Sequence, residues 1–230
     1  MESVLDRVIK QNTENVNLLK TKDYNIFSVL QIQSKEVLIC RMIADLLNPR
    51  GQHGAGAEYL KIFLKDCLGM EKMDTKLADQ AIVTAEYAID DERRIDIVIE
   101  IGSYFLPVEV KIYAADQKSQ CFDYYQYAKR RDAQAKVYYL TLDGHRPGKD
   151  STSSGNRSVT EEDIVCLSFR EHILNWLKAC KNCGNTGMIP ILEQFIHNIE
   201  QISGYTSERV RNMVIDEVLV SGDSLRAGMQ

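Results

Sequence analysis

Glu109 and Lys111 stand two residues apart in Pro107-Val108-Glu109-Val110-Lys111, and Asp96 interrupts the apolar run Arg94-Ile95-Asp96-Ile97-Val98-Ile99. A strand repeats its side-chain direction every second residue, so Glu109 and Lys111 share one face while Val108, Val110 and Ile112 take the other. By the same period Asp96 breaks the apolar row on the face opposite Ile95, Ile97 and Ile99. Gly102-Ser103 is short enough to fold the two runs into an antiparallel hairpin, which sets an acid against an acid and a lysine. Two carboxylates about 4 Å apart repel by roughly 4 kcal/mol at an effective dielectric near 20, and one lysine offsets only part of this. A divalent cation offsets it better. Oxygen ligands with no His or Cys nearby in sequence suit magnesium rather than zinc, and leave Lys111 to handle a proton or an anion. The alternative is a surface hairpin with a cross-strand Asp–Lys pair, which is worth little. Strands this apolar on both sides of the charges do not read as a solvated edge.

Helices must deliver the remaining groups. From Ser34 to Leu47 the apolar residues Val37, Ile39, Cys40, Ile43, Leu46 and Leu47 follow a helical period, and Asn48-Pro49 ends it. Glu36 falls in line with Cys40, Ile43 and Leu47, so it points inward from the first turn if that stripe packs on a sheet. A first-turn glutamate that only complements the helix dipole is the plainer alternative. A second helix is expected from about 114 to 131, where Gln117, Gln120, Tyr124 and Tyr127 form a polar and aromatic face. Its other side carries Lys118, Lys129, Arg130 and Arg131, which suit phosphates. A core stripe with two tyrosines and two solvent-facing glutamines is the plainer reading.

The order of these pieces is helix with Glu36, strand, strand with Asp96, strand with Glu109-x-Lys111, helix with Gln117 and Gln120, strand. Together with Asp45-Leu46-Leu47-Asn48-Pro49, His53-Gly54-Ala55-Gly56, Arg93-Arg94-Ile95-Asp96-Ile97 and Asp116-Gln117-Lys118-Ser119-Gln120, it resembles the PD-(D/E)XK nuclease superfamily, and more narrowly its bacterial family proteins. A lone Glu-x-Lys is a weak signal, whereas the ordered set is fairly specific. Ile95 departs from the pattern by replacing the proline of the superfamily's name.

The resemblance implies an α/β fold with a restriction-endonuclease-like core, a central mixed β-sheet flanked by helices in the order αβββαβ. It implies a metal-dependent nuclease that hydrolyses DNA phosphodiester bonds with Mg2+, for which Mn2+ would substitute. Asp96, Glu109 and the Val110 carbonyl would hold the metal, with Glu36 adding a ligand directly or through water. Lys111 would orient or deprotonate the attacking water or stabilise the developing charge, and Gln117 or Gln120 would steady Lys111 or touch the phosphate. Arg93, Arg94, Lys118, Tyr124 and Tyr127 would contact the nucleic acid. A homodimer is a further expectation. The rival function is a catalytically weak nucleic-acid-binding or regulatory module of a phage-defence or mobile-element system. A structural protein with incidental surface carboxylates is a second rival.

The chain of 230 residues, 44% hydrophobic, can bury one substantial core, read as a domain over 1–205 with a weakly helical and polar tail at 206–230. The resemblance implies that related proteins are often longer, so the expectation is that the chain either stops short of its natural C-terminus or dispenses with an extra region. No run is long and apolar enough for a membrane span and the polar start does not read as a signal peptide, so the expected location is cytoplasmic. Six cysteines in a chain this long do not form a disulfide framework. Cys40, Cys67 and Cys166 read as core, and Cys180-x-x-Cys183 as a helix end rather than a zinc site. A net charge of −5 argues against tight nonspecific binding to nucleic acid, although Arg93, Arg94, Lys118 and the cluster at 129–131 offer a local positive rim.

Further elements are expected as a helix at 2–20, a helix at 57–68, strands at 84–89, 137–142 and 164–168, a helix opened by the Ser168 to Glu171 capping box and running through Trp176, and a helix from Pro190 to about Ser203. Residues 144–159 read as a mobile polar loop suited to covering substrate. His53 and His145 read as turn or surface residues rather than catalytic bases.

Overall fold

Runs rich in Val, Ile and Leu with a two-residue period make the centre of the molecule a five-stranded sheet, its neighbouring strands in the order Ile82–Ala88, Arg94–Ile101, Tyr104–Lys111, Val137–Thr141 and Ile164–Ser168. The computed structural model describes residues 24–71, 74–183 and 186–204, so the helix expected at 2–20 and the tail at 206–230 lie outside the described residues. Before the sheet come helices α1 (Ile26–Val29), α2 (Glu36–Leu47), α3 (Glu58–Ile62, running on as a π turn over Phe63–Cys67) and α4 (Thr75–Ala78). The strands β1 (Ile82–Ala88), β2 (Arg94–Ile101) and β3 (Tyr104–Lys111) form an antiparallel meander. Helix α5 (Gln120–Arg131) then crosses to β4 (Val137–Thr141), parallel to β3. After a short helix α6 (Lys149–Thr152) and the hairpin β5 (Ser153–Ser154) and β6 (Arg157–Ser158), β7 (Ile164–Ser168) closes the sheet, parallel to β4. Helices α7 (Leu174–Cys183, entered through a π turn at Phe169–Ile173) and α8 (Ile189–Ile202) complete the described chain.

Glu36, β1 to β3, α5 and β4 thus follow the expected αβββαβ order, with β7 added beyond it. The sheet is mixed because two hairpin-length connections join β1, β2 and β3, whereas the longer crossover through α5 lets β4 run parallel. Its larger core lies on the face of Ile97, Ile99, Val108 and Val110, against Ile39 and Ile43 of α2, Trp176 of α7 and Phe195 of α8. On the opposite face Val98, Phe105 and Val137 pack against Tyr124 and Ala128 of α5. Trp176 is wholly buried, and its Nε1 donates to the Tyr59 carbonyl at 2.8 Å, which satisfies the indole inside the core. The Ser168 Oγ accepts from the Glu171 N–H at 3.1 Å, as the capping box predicts.

Three expectations need correction. The helix expected from 114 begins at Gln120, because Ser119 has a φ of 57°, outside the right-handed helical region. Gln117 is therefore on a loop and not on the helical face of Gln120 and Tyr124. The stretch at 144–159 is built rather than a loose cover. Asp150 O accepts from Ser119 N at 2.7 Å, Ser153 O from Ser119 Oγ at 2.7 Å, and Arg157 lies 5.2 Å from the centre of the Phe122 ring. These contacts hold the start of α5. Finally, Ile95 does not share the face of Ile97 and Ile99 but packs with Val98 on the α5 side. The alternation fails at Asp96, which is paired in register with neither β1 nor β3. Glu86, the residue opposite it on β1, has a φ of 54°, a conformation costly for a non-glycine residue.

Candidate active site

That break in the ladder builds the site. Where β2 and β3 part, the Val110 N–H loses its strand partner and is taken instead by Asp96 Oδ2 at 2.8 Å. Beyond the end of β3, Glu36 Oε2 accepts from the Ile112 N–H at 2.8 Å. Two acids from distant parts of the chain are thus fixed by backbone donors on the strand that carries Glu109 and Lys111. In extended backbone the N–H and C=O of a residue point to the same side, so the Val110 carbonyl also faces this opening. Glu109 is 1% exposed and Lys111 7%, and the Lys111 ammonium donates to Glu109 Oε1 at 2.5 Å. The other oxygen, Glu109 Oε2, is buried with no hydrogen-bond partner, a state that is expensive for a carboxylate unless something binds it.

The electrostatics agree with this crowding. Burial, then the Asp96 charge, pushes the Glu109 carboxyl well above its usual range. Burial also raises Asp96, and the Val110 N–H and Lys111 oppose that rise only in part. Burial acts to lower Lys111, but the attraction of Glu109, Asp96 and Glu36 outweighs it and holds the ammonium charged. Cys40, one turn beyond Glu36, has its thiol driven upward by burial and then by Asp96, Glu36, Glu109 and Glu86.

A cleft of about 260 Å³ opens over these groups, lined by Glu36, Asp96, Glu109 and Lys111 on its floor and by Glu92, Arg93, Arg94, Ala114, Ala115, Gln117, Gln120 and Tyr124 around it. Gln120 Nε2 donates to Tyr124 Oη at 3.1 Å, and Tyr124 Oη donates to the Arg94 carbonyl at 2.5 Å. Tyr124 is 1% exposed, so it is a wall of the cleft and not a surface for a ligand to lie on. Tyr127 does not line the cleft; its hydroxyl meets Tyr87 Oη at 3.1 Å and its ring packs against Phe105. The structure thus places Tyr127 apart from the cleft that Tyr124 helps to line.

Arg93 is also placed differently from expectation. Its Nε meets Asp123 at 3.2 Å, its Nη1 donates to Gln117 Oε1 at 2.8 Å and its Nη2 to the Lys118 carbonyl at 2.6 Å. A planar fork fits this three-way clamp, and the clamp leaves the side chain little to offer a phosphate. The Arg94 guanidinium, which lines the cleft, and the Lys118 ammonium make no hydrogen bond or ion pair among the described residues, and both residues are exposed. At the end of α5, Lys129 lies 3.5 Å from Asp163 and Arg131 2.6 Å from Glu100, so much of the expected positive rim is already neutralised.

Two residues passed over in sequence prove to hold the site. Asp116 accepts from Tyr139 Oη at 2.8 Å and from the Gly148 N–H at 2.7 Å, fixing the loop that carries Gln117. Glu86, on the strand beside Asp96, is paired with Arg41 at 2.7 Å. An acid inside a strand was the only sequence signal for Glu86, whereas Asp116 opened the Asp116-Gln117-Lys118-Ser119-Gln120 stretch without a role of its own. His53 is buried rather than on the surface: its Nε2 donates to the Asn48 carbonyl at 2.9 Å and its Nδ1 accepts from the Ala55 N–H at 3.1 Å. His145 is exposed beside Asp143, and Cys183 ends α7 with its thiol 3.6 Å from the Cys180 carbonyl.

Among the described residues no three Asp, Glu, His or Cys side chains form a ready cage for a metal, and Glu36 and Asp96 each spend an oxygen on a backbone N–H. The set still fits a hard cation: the unpartnered Glu109 Oε2, the second oxygen of Asp96, the Val110 carbonyl and water are all oxygen donors. No helix among the described residues is long and apolar enough to cross a membrane. No curated protein and no solved structure matches the chain significantly. The family model described as PD-(D/E)XK nuclease superfamily matches residues 24–197, a span that takes in α2, the whole meander, α5 and β4. With its carboxylates and lysine standing at the parted strands inside that span, the chain belongs to the PD-(D/E)XK nuclease superfamily.

Proposed function

We propose that the protein hydrolyses phosphodiester bonds of DNA in a magnesium-dependent reaction. The observation that carries this reading is Glu109 Oε2, a buried carboxylate oxygen with no partner, beside Asp96 and an ammonium. Asp96, Glu109 and the Val110 carbonyl would hold the ion, and Glu36 would reach it through water. Bound there, a divalent cation supplies Lewis acidity toward a phosphoryl oxygen, acidifies water and screens an anion from the acidic floor. Lys111, held as an ammonium, stands where it can orient the attacking water, give a proton or meet charge building on the phosphate. Gln117, steadied by Arg93, and Gln120, steadied by Tyr124, would orient Lys111 or the scissile phosphate. Incubating plasmid and single-stranded DNA with the full chain, with Mg2+ or with chelator, tests the reading. Cleavage that chelator stops supports it; intact DNA at millimolar Mg2+ and Mn2+ would leave a binding module in its place.

Metal binding should depend on pH with a definite sign. Because the Glu109 pKa is raised in the folded state, protonation stabilises the metal-free fold; that contribution is complete below the ordinary value of 4.5 and is lost as pH rises through the raised pKa. A cation competes with that proton. The thermal shift produced by Mg2+ or Mn2+ should therefore be small near pH 5 and grow toward pH 8. At hundredfold excess over Kd it is worth about 2.7 kcal/mol, or about 5–10 °C for a chain of this size. A shift that is equal at both pH values would contradict this linkage.

Arg93 should behave as a positioning residue. Arg93→Lys keeps the charge but cannot span Gln117, Asp123 and the Lys118 carbonyl together. Turnover should fall by about 10- to 100-fold with KM and the salt dependence of binding nearly unchanged. A raised KM with a shallower salt slope would instead make Arg93 a phosphate contact.

A further inference from the structure

Tyr113 follows Lys111 by two residues, at the bend where β3 gives way to the loop over the cleft. It is 68% exposed, more than any other large apolar side chain among the described residues. Its neighbours Ala114 and Ala115 line the cleft and are too small to shield the ring. Tyr113 makes no side-chain hydrogen bond or ring contact among the described residues, whereas Tyr87, Tyr124, Tyr125, Tyr127 and Tyr139 are all engaged by hydroxyl or ring. Tyr113 is not itself a lining residue, but an aromatic side chain left bare in the chain between Lys111 and Ala114, which both line the cleft, offers a π-face of the kind on which an unpaired base stacks.

The charges near the cleft point the same way. Duplex recognition draws most of its affinity from cations on phosphates, yet the whole chain carries a net charge of −5. Around the cleft Arg93 is consumed by its clamp, and the free cations among the described residues are Arg94, Lys118 and, beside Glu36, Lys35. So few cations track a short strand better than a duplex face. We propose that the cleft takes a single-stranded segment of nucleic acid, with Tyr113 stacking on the base next to the scissile phosphate. This names the substrate class of the reaction proposed above and rests on that reading for the word scissile; the stacking itself does not require turnover.

The test uses the full chain in chelator, where nothing is cleaved. In Tyr113→Trp the new indole is exposed while Trp176 is wholly buried, so quenching on titration reports position 113. Oligonucleotides of DNA and of RNA, single-stranded and annealed, are the probes. Single strands of either sugar should quench the indole and bind at least tenfold more tightly than the matching duplex. Tyr113→Ala, checked for an unchanged melting temperature, should weaken single-strand binding about tenfold, and Tyr113→Phe should bind as the wild type does. With Mg2+ present, Tyr113→Ala should raise KM for single strands more than it lowers kcat. Duplex binding as tight as single-strand binding, or a Tyr113→Ala variant that binds normally, overturns the proposal. The two readings fail separately: stacking without cleavage in Mg2+ removes the hydrolytic reading alone, and cleavage indifferent to Tyr113 removes this one alone.

Discussion

Asp96→Asn should give a well-folded protein that no longer cleaves DNA. The asparagine oxygen can still accept from the Val110 N–H, the bond that replaces the missing ladder contact at 2.8 Å, so the parted strands keep their shape. The charge is lost. Asp96 is one of the largest influences raising Glu109, and its removal relieves a carboxylate repulsion in the metal-free state. In chelator at pH 8 the melting temperature should therefore hold or rise. On the metal-dependent reading proposed above, the same change also removes a ligand from the ion. Metal-ion stabilisation of a transition state is worth several kcal/mol, and each 1.36 kcal/mol is tenfold in rate, so cleavage should fall by roughly 10³-fold or more. The thermal shift with Mg2+ should shrink in parallel. An Asp96→Asn protein that cleaves within tenfold of wild type would remove Asp96 from the metal site.

Lys111→Met separates the ammonium's two tasks. Without it the buried Glu109 keeps its charge and loses its partner at 2.5 Å; breaking a buried pair from one side costs about 3–5 kcal/mol. The cost should follow pH. Glu109 already has a raised pKa with Lys111 present, and removing the cation raises it further, so at low pH the carboxyl is neutral and the deficit shrinks. Melting curves should show a large difference from wild type near pH 8 and a small one near pH 5. Mg2+ should narrow the gap at pH 8, since a cation replaces the lost ammonium. Turnover should still be lower by about 10²–10⁴-fold at saturating metal, the range for losing a positioned proton-transfer group. A variant with normal turnover once metal is added would reduce Lys111 to a counter-ion.

Much of the molecule was legible from periodicity. Alternating β-branched residues marked the central strands, the stripe through Cys40, Ile43 and Leu47 marked α2, and Ser168 to Glu171 marked the entry to the last helices, because these signals are local and the core rewards them directly. The types and order of Glu36, Asp96, Glu109 and Lys111 were likewise visible, since mutually repelling acids inside apolar runs call for a cation. What the tertiary structure decided is how those acids are held and which neighbours stay free. Strand alternation assigns Asp96 to a face of the sheet; a left-handed Glu86 and the parting of β2 from β3 turn it toward a backbone N–H instead. Helical spacing assigned Gln117 to a helix that does not begin until Gln120, because Ser119 is bound across the fold to residues 150 and 153. Composition counted Arg93 among the cations for phosphate and Tyr127 among the aromatics for bases, while both are spent on internal partners and Tyr113 is left bare. Whether a polar group is consumed or available depends on partners far away in the chain, and no local pattern of residues encodes that.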